Sequence, residues 1–304
     1  SLAGGGGDGK VGGGSSVSVH SSGAWVCHSC REARGSADGA ATATAMGEVN
    51  SSVLPRTALS DALEEAVASA LSWHGVSAAP LKVRVASSLD LTSQPKDVMM
   101  QRQWSCGEAY PEAFPFRSRA IMALQEVDGH DVLVFMMYTQ EYGSNCPAPN
   151  TRRVYISYVD SVKYFQSDPP NHRSTVYRAL ISGYLHSCRM RGFRHVHLWV
   201  EPPRAGDEYI FFARPPDERK PMKREKLRSW YVKVLDLAKA QGVVLRHGDM
   251  LDEFRDITSA REIPMFKGDQ WEITVPALLE DKAEAGGAPE AAPSPHASTP
   301  TVHE

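Results

Sequence analysis

The most constraining feature is the dipeptide Asp128-Gly129, set between two long runs in which large apolar residues recur, Arg117 to Val127 and Asp131 to Tyr138. An Asp-Gly pair supplies the positive φ angles of a tight two-residue turn, so the flanking runs are expected to form an antiparallel hairpin. Around it, Leu81 to Val85 alternates with period two, Val154 to Val159 reads as a strand, and His195 to Val200 as a buried strand ended by Pro202-Pro203. Three helices are expected between these. The first starts at an N-cap on Ser60, with Leu63, Val67, Ala70 and Leu71 at helical spacing. A second spans about Arg173 to Met190 and carries Val176, Leu180, Ile181, Tyr184, Leu185 and Cys188. The third covers about Glu225 to Gln241, with Leu227, Trp230, Val234, Leu235 and Ala238 on one face and Gly242 as its stop. This mixture predicts an α/β or α+β class, with a central mixed sheet flanked by helices.

The ends of the chain differ from this middle. Eight of the 24 glycines fall in residues 1–14, and residues 1–50 hold too little apolar surface to offset ordering entropy. Residues 276–304 are again Ala- and Pro-rich and are expected to form a disordered tail, which leaves 51–275 as the folded domain. A net charge of −3, from 33 Lys plus Arg against 36 acids, argues against a chain-wide nucleic-acid grip and leaves room for local basic patches. There is no apolar run of membrane-spanning length and no signal-like start, and five cysteines suit a reducing compartment better than a disulfide framework.

Four groups of residues can carry chemistry. Cys27 and Cys30 form a CxxC knuckle: half of a zinc site completed elsewhere, or two free thiols in a flexible arm. The loop from Gln140 feeds a strand ending in Asp160-Ser161, and strand ends are where α/β folds place ligand groups. Arg214 to Arg228 holds seven Lys/Arg against three acids, a solvated face or a phosphate-meeting segment. Trp199, Tyr209, Trp230 and Tyr231 are aromatics of a core or of a cleft wall; residues adjacent on a helix point about 100° apart, so Tyr231 can border a cleft if Trp230 packs inward. No GxSxG elbow is present to suggest a serine hydrolase.

In order along the chain, Gln140-Glu-Tyr-Gly-Ser, Arg153-Val-Tyr-Ile-Ser-Tyr-Val-Asp-Ser161, Thr175-Val-Tyr177 with Gly183-Tyr-Leu185, His197-Leu-Trp199 with Pro202-Pro203, Asp207-Glu-Tyr-Ile-Phe211, Pro215-Pro-Asp217, Trp230-Tyr231, Ser259 to Pro264 and Gly268 to Trp271 resemble the catalytic domain of the CREB-binding-protein type of histone acetyltransferase. The resemblance covers about Leu54 to Trp271. It implies an acyltransferase acting on histones and other lysine-rich proteins, with acetyl-CoA as co-substrate and a long loop covering it. It further implies a nuclear transcriptional coactivator that reaches transcription factors through other parts of a larger protein, with no membrane and no direct nucleic-acid partner. The alternative is an acetyl-CoA or chromatin-binding module that has lost turnover, or an incomplete domain fragment.

Residue by residue, the resemblance makes Tyr231 the general acid and Trp199 the residue that orients the attacking amine. It assigns acetyl-CoA to Asp160, Ser161, Arg173, Ser174, Tyr177, Lys226 and Trp230, and the substrate lysine to Ser157, Tyr158, Asp207 and Tyr209. Cys27 and Cys30 match the last ligand pair of the PHD finger that precedes such domains. The chain departs from the family at Ser174 (usually Thr), Lys226 (Arg) and Glu201 (Cys), and after about Glu280 it lacks the family's Lys-rich loop and closing strand and helix.

Overall fold

The computed structural model describes residues 51–101, 104, 106–202, 222–257, 259–269 and 300–303. Its frame is a seven-stranded mixed sheet in the order β1-β2-β3-β4-β5-β7-β6. The strands are β1 (Leu81–Ser93), β2 (Phe114–Val127), β3 (His130–Tyr142), β4 (Arg153–Ser161), β5 (His195–Leu198), β6 (Arg246–Asp249) and β7 (Pro300–His303). Pairing is antiparallel except for β4 with β5, the crossover that α/β proteins bridge with a helix. The turn between β2 and β3 is the expected one: Asp128 and Gly129 take φ of 50° and 76°, and Val127 pairs with His130.

The helices are α1 (Ala58–Trp73), α2 (Asp97–Gln101), α3 (Arg173–Met190), α4 (Arg224–Ala240) and α5 (Met250–Glu253). α1 begins earlier than its sequence suggests. Thr57 is the N-cap, and Ser60 closes the capping box: Ser60 N–H donates to Thr57 Oγ1 at 3.0 Å and Thr57 N–H to Ser60 Oγ at 2.7 Å. Both residues are good caps, and the reciprocal pair decides between them.

α1 and α3 pack at the one place where α3 has no side chain. A Cβ on Gly183 would stand 3.0 Å from Ala66 Cβ and 3.1 Å from Leu63 Cδ2, so glycine sets how closely the two helices approach. Their buried residues, Leu63, Val67 and Leu71 with Leu180, Ile181 and Tyr184, form one core with Val83, Ile121, Val134, Val154 and Ile156 of the sheet and Val234, Leu235 and Ala238 of α4. A second core holds Met99, Phe114, Phe116, Tyr142, Tyr155 and Phe266. Val154 and Ile156 face the first core and Tyr155 the second, so β4 is buried on both faces, as a central strand should be.

The tail reading needs one correction. Pro300–His303, which composition places in a disordered tail, forms β7 between β5 and β6. Four residues inside a Pro- and Ala-rich stretch are too few for periodicity to register, and Pro300 stands at the strand start, where a missing N–H is tolerated. The expected loop over acetyl-CoA joins β5 to α4, and residues 203–221 of it lie outside the described residues.

Candidate functional site

The end of β4, the first turn of α3 and the first half of α4 meet through a few side chains. β4 carries a bulge on its way to this end. Tyr138 of β3 pairs with Tyr158 and Thr139 with Ile156, so Ser157 is the extra residue. An extra residue re-aims the side chains that follow it. Ser157 is buried and its Oγ donates to the Tyr138 carbonyl at 3.4 Å, while Tyr158 is exposed, its ring edge-on to Tyr138 at 6.2 Å between centroids. Two residues on, Asp160 Oδ1 accepts the Ser161 N–H at 2.8 Å and holds the strand end in a local turn.

Tyr177 of α3 fixes that strand end from below. Its phenol lies within 2.7 Å of the Val162 carbonyl and 3.0 Å of the Val134 carbonyl, and the residue is buried. With the hydroxyl committed to backbone, what Tyr177 offers a ligand is its ring. Arg173 is the first residue of α3, whose N-cap, His172, makes no side-chain capping bond, and Ser174 follows it. Ser174 Oγ accepts Trp230 Nε1 at 3.0 Å and Arg178 Nη2 and Nε at 3.0 and 3.2 Å. One hydroxyl thus ties the start of α3 to α4. Sequence reasoning missed Arg178, although its i+4 spacing from Ser174 on a helix was available to find it.

On α4, Trp230 and Tyr231 are adjacent with rings at 83° and centroids 5.0 Å apart, Trp230 half-buried and Tyr231 buried. Burial, with a smaller contribution from the Asp160 carboxylate, pushes the Tyr231 phenol well above its ordinary pKa. Tyr231 therefore keeps its proton, and the Asp160 carboxylate near the end of β4 is close enough to act on it. Lys226, one turn earlier, is exposed. Trp199 follows the last residue of β5; its N–H donates to the Ile156 carbonyl at 3.1 Å, beside the Ser157 bulge, and its side chain packs on the second core. Glu201, two residues further, turns to α4, where Arg224 Nη2 donates to its Oε1 at 2.6 Å.

The structure thus brings together Ser157, Tyr158, Asp160, Ser161, Tyr177, Arg173, Ser174, Trp230 and Tyr231, with Trp199 at the bulge and Lys226 on the same helix. Asp207 and Tyr209 lie outside the described residues, as do Cys27 and Cys30. Among the described residues no group of three or more His, Cys, Asp and Glu is placed to hold a metal ion. No helix among them is long and apolar enough to cross a membrane. The described cysteines are free: Cys106 is exposed, while burial pushes the thiols of Cys146 and Cys188 up to about 12.

The histone acetyltransferase domain family KAT3 matches residues 67–290. The chain belongs to this family. It is 38% identical over 235 residues to Protein cbp-1 of Caenorhabditis elegans, which covers 76% of this chain and 11% of that protein. It is 35% identical over 256 residues to histone acetyltransferase HAC1 of Arabidopsis thaliana, covering 75% of the chain and 15% of HAC1. A rice protein, probable histone acetyltransferase HAC-like 3, is 37% identical over 255 residues, covering 75% of the chain and 20% of that protein. The chain therefore spans between about a tenth and a fifth of the length of these relatives.

Proposed function

We propose that this domain transfers the acetyl group of acetyl-CoA to the ε-amine of lysines in histone tails, in the nucleus, as the catalytic part of a transcriptional coactivator. Family membership supports the reaction, and the observation that carries it to particular residues is Tyr231: a buried phenol, kept protonated, beside the end of β4.

Acetyl-CoA lies across the first turns of α3 and α4. Its phosphates meet Arg173, the free N–H groups at the start of α3 and Lys226, because guanidinium, ammonium and a helix N-terminus all favour anions. Ser174, held by Trp230 and Arg178, keeps the two helices in register for that contact, and the ring of Tyr177 with Asp160 and Ser161 borders the pantetheine arm. The substrate lysine approaches between Tyr158 and Trp199; the family resemblance assigns Tyr209 and the acidic Asp207 to the same lysine, and an acidic residue suits a basic tail.

A lysine ammonium has a pKa of about 10.4 and attacks only when neutral. An apolar passage disfavours its charged form and so favours loss of the proton. As the amine adds to the thioester carbonyl, negative charge grows on the departing sulfur. Tyr231 donates a hydrogen bond to that sulfur and passes it the proton as the C–S bond breaks, and the surplus proton shed by the new amide nitrogen returns through solvent to restore the phenol. The burial that holds the proton on the phenol also raises the proton affinity of a thiolate formed there, so transfer does not need an unusually acidic tyrosine.

The test is transfer of labelled acetyl from acetyl-CoA to a histone tail peptide by the chain and by Tyr231→Phe. Phenylalanine keeps the ring, so the fold and acetyl-CoA affinity are expected to persist while turnover falls roughly 100- to 10,000-fold, the range of general-acid effects. Unchanged turnover in the variant would remove Tyr231 from this role. Acetyl-CoA binding without any transfer by the parent chain would favour the binding-module reading.

A further inference from the structure

α3 runs away from the proposed acetyl-transfer site, and its 18 residues carry its far end about 27 Å from Arg173. That far end is a corner of arginines. Arg189 and Arg191 close the helix, Arg194 stands in the following turn, and Arg152 ends the loop between β3 and β4; all four are exposed. The backbone holds them together: Arg194 N–H donates to the Arg152 carbonyl at 2.9 Å, and Arg152 takes a φ of 56° that few non-glycine residues adopt. Gly192, at φ 84°, lies under the Arg152 guanidinium, whose Nη1 is 3.8 Å from where a Cβ would be.

Little negative charge answers them. Glu141, buried beneath, accepts Arg191 Nη1 and Nη2 at 2.7 and 2.8 Å and Arg119 Nε at 3.1 Å. Arg189 Nη1 donates to a neutral group, the Gly242 carbonyl. Glu141 therefore answers Arg191 and Arg119, while Arg152, Arg189 and Arg194 make no ion pair among the described residues, in a chain whose net charge is −3.

We propose that this corner binds the phosphodiester backbone of double-stranded DNA without reading its sequence. Arginine forks match phosphate oxygens bidentately, and a preformed backbone lowers the ordering cost of presenting them. An acidic protein segment fits less well. β3, β4 and β5 are each paired on both sides, so the corner offers no free strand edge for a peptide backbone. The family resemblance implies no direct nucleic-acid partner, and the net charge, which argues only against a chain-wide grip, averages this local excess away.

The test is fluorescence anisotropy of a labelled DNA duplex with the full chain and with Arg152→Gln/Arg194→Gln. Three to four phosphate contacts predict an affinity that falls roughly 40- to 150-fold between 50 and 200 mM salt, and removing two contacts should cut that salt dependence about 12-fold. Arg152→Lys/Arg194→Lys keeps both charges and should keep the salt dependence, which separates lost charge from a disturbed turn. No DNA binding, or equal salt dependence in the parent and the Gln variant, overturns the proposal. So does binding of poly-glutamate, lost in the Gln variant, without binding of DNA.

Discussion

Replacing Glu141 by Gln tests the buried charge that holds the far end of α3 to the sheet. Both carboxylate oxygens are in use: Arg191 donates to each of them, Arg119 donates to Oε2, and the Tyr184 hydroxyl donates to Oε1 at 2.9 Å. An amide of the same shape keeps one acceptor and turns its NH2 toward guanidinium donors, leaving two cations short of their counter-charge. Breaking a buried pair from one side costs about 3–5 kcal/mol, and the lower end applies because the Arg191 side chain is one third exposed. In a unit of this size about 3 kcal/mol lowers the melting temperature by roughly 6–12 °C. The arginines and the tyrosine hold the Glu141 carboxyl below its ordinary pKa despite the opposing effect of burial. A depressed carboxylate stabilises the fold fully above the unfolded value, about 4.3, and loses that contribution as pH falls through the folded value. The gap between parent and variant, read by calorimetry, should thus be constant from pH 6 to 8 and close below about pH 4.3. A gap under about 1 kcal/mol at pH 7, or one independent of pH down to the acid limit, would refute the reasoning.

The remaining predictions concern packing and the sheet edge. Gly183→Val should lower stability by about 1–3 kcal/mol in denaturant melts, because its Cβ would meet Ala66 and Leu63 at 3.0–3.1 Å; an unchanged midpoint would mean the helices separate freely. In a Cys27→Ser/Cys30→Ser background, Cys106 should react with a thiol reagent at pH 8, while Cys146 and Cys188, with about one thiolate in ten thousand, should react only on unfolding. Ending the chain at residue 299 removes β7 from between β5 and β6; thermal melts should shift down by several degrees and proteolysis near residue 246 should accelerate.

Local signals placed most of the frame. The Asp128-Gly129 turn, the 3.6-residue pattern of α3 and the Gly242 stop after α4 each act within a few residues, and all three appear where expected. What pattern could not reach depends on partners far apart in the chain. The spacing of Glu141, Arg119 and Arg191 carries no signature of a buried network, and Glu201 could not announce Arg224 as its partner. The Ser157 bulge is likewise invisible, since Val154 to Val159 reads as an uninterrupted strand while only the register against β3 exposes the extra residue. Composition misled at β7, where the flanking Ala and Pro outweighed a short Thr-Val run. The grouping of Arg173, Ser174, Trp230 and Tyr231 came from the family resemblance, and the Trp230 to Ser174 hydrogen bond supplies its physical link.

α3 connects the two ends of the domain, and its anchoring separates their functions. At its start, Ser174 binds Trp230 and Tyr177 binds the carbonyl after Ser161, so the helix is tied to the strand end and to the helix that form the site. At its end, Arg191 is tied to Glu141. Between them the helix is pinned to α1 at Gly183 and buried along one face from Val176 to Cys188, which leaves no hinge through which a loosened C-terminal anchor could displace Ser174. Well below its melting temperature, Glu141→Gln should therefore retain the acetyl-CoA affinity and turnover of the parent, because its loss is one of global stability. Ser174→Ala has the opposite pattern. It leaves a half-buried indole N–H without its acceptor, a cost of about 1–3 kcal/mol concentrated where α3 meets α4, and should weaken acetyl-CoA binding before it affects the melt. If the two variants exchanged these behaviours, the helix would be transmitting strain along its length, and the site could not be treated as built at one end of a rigid element.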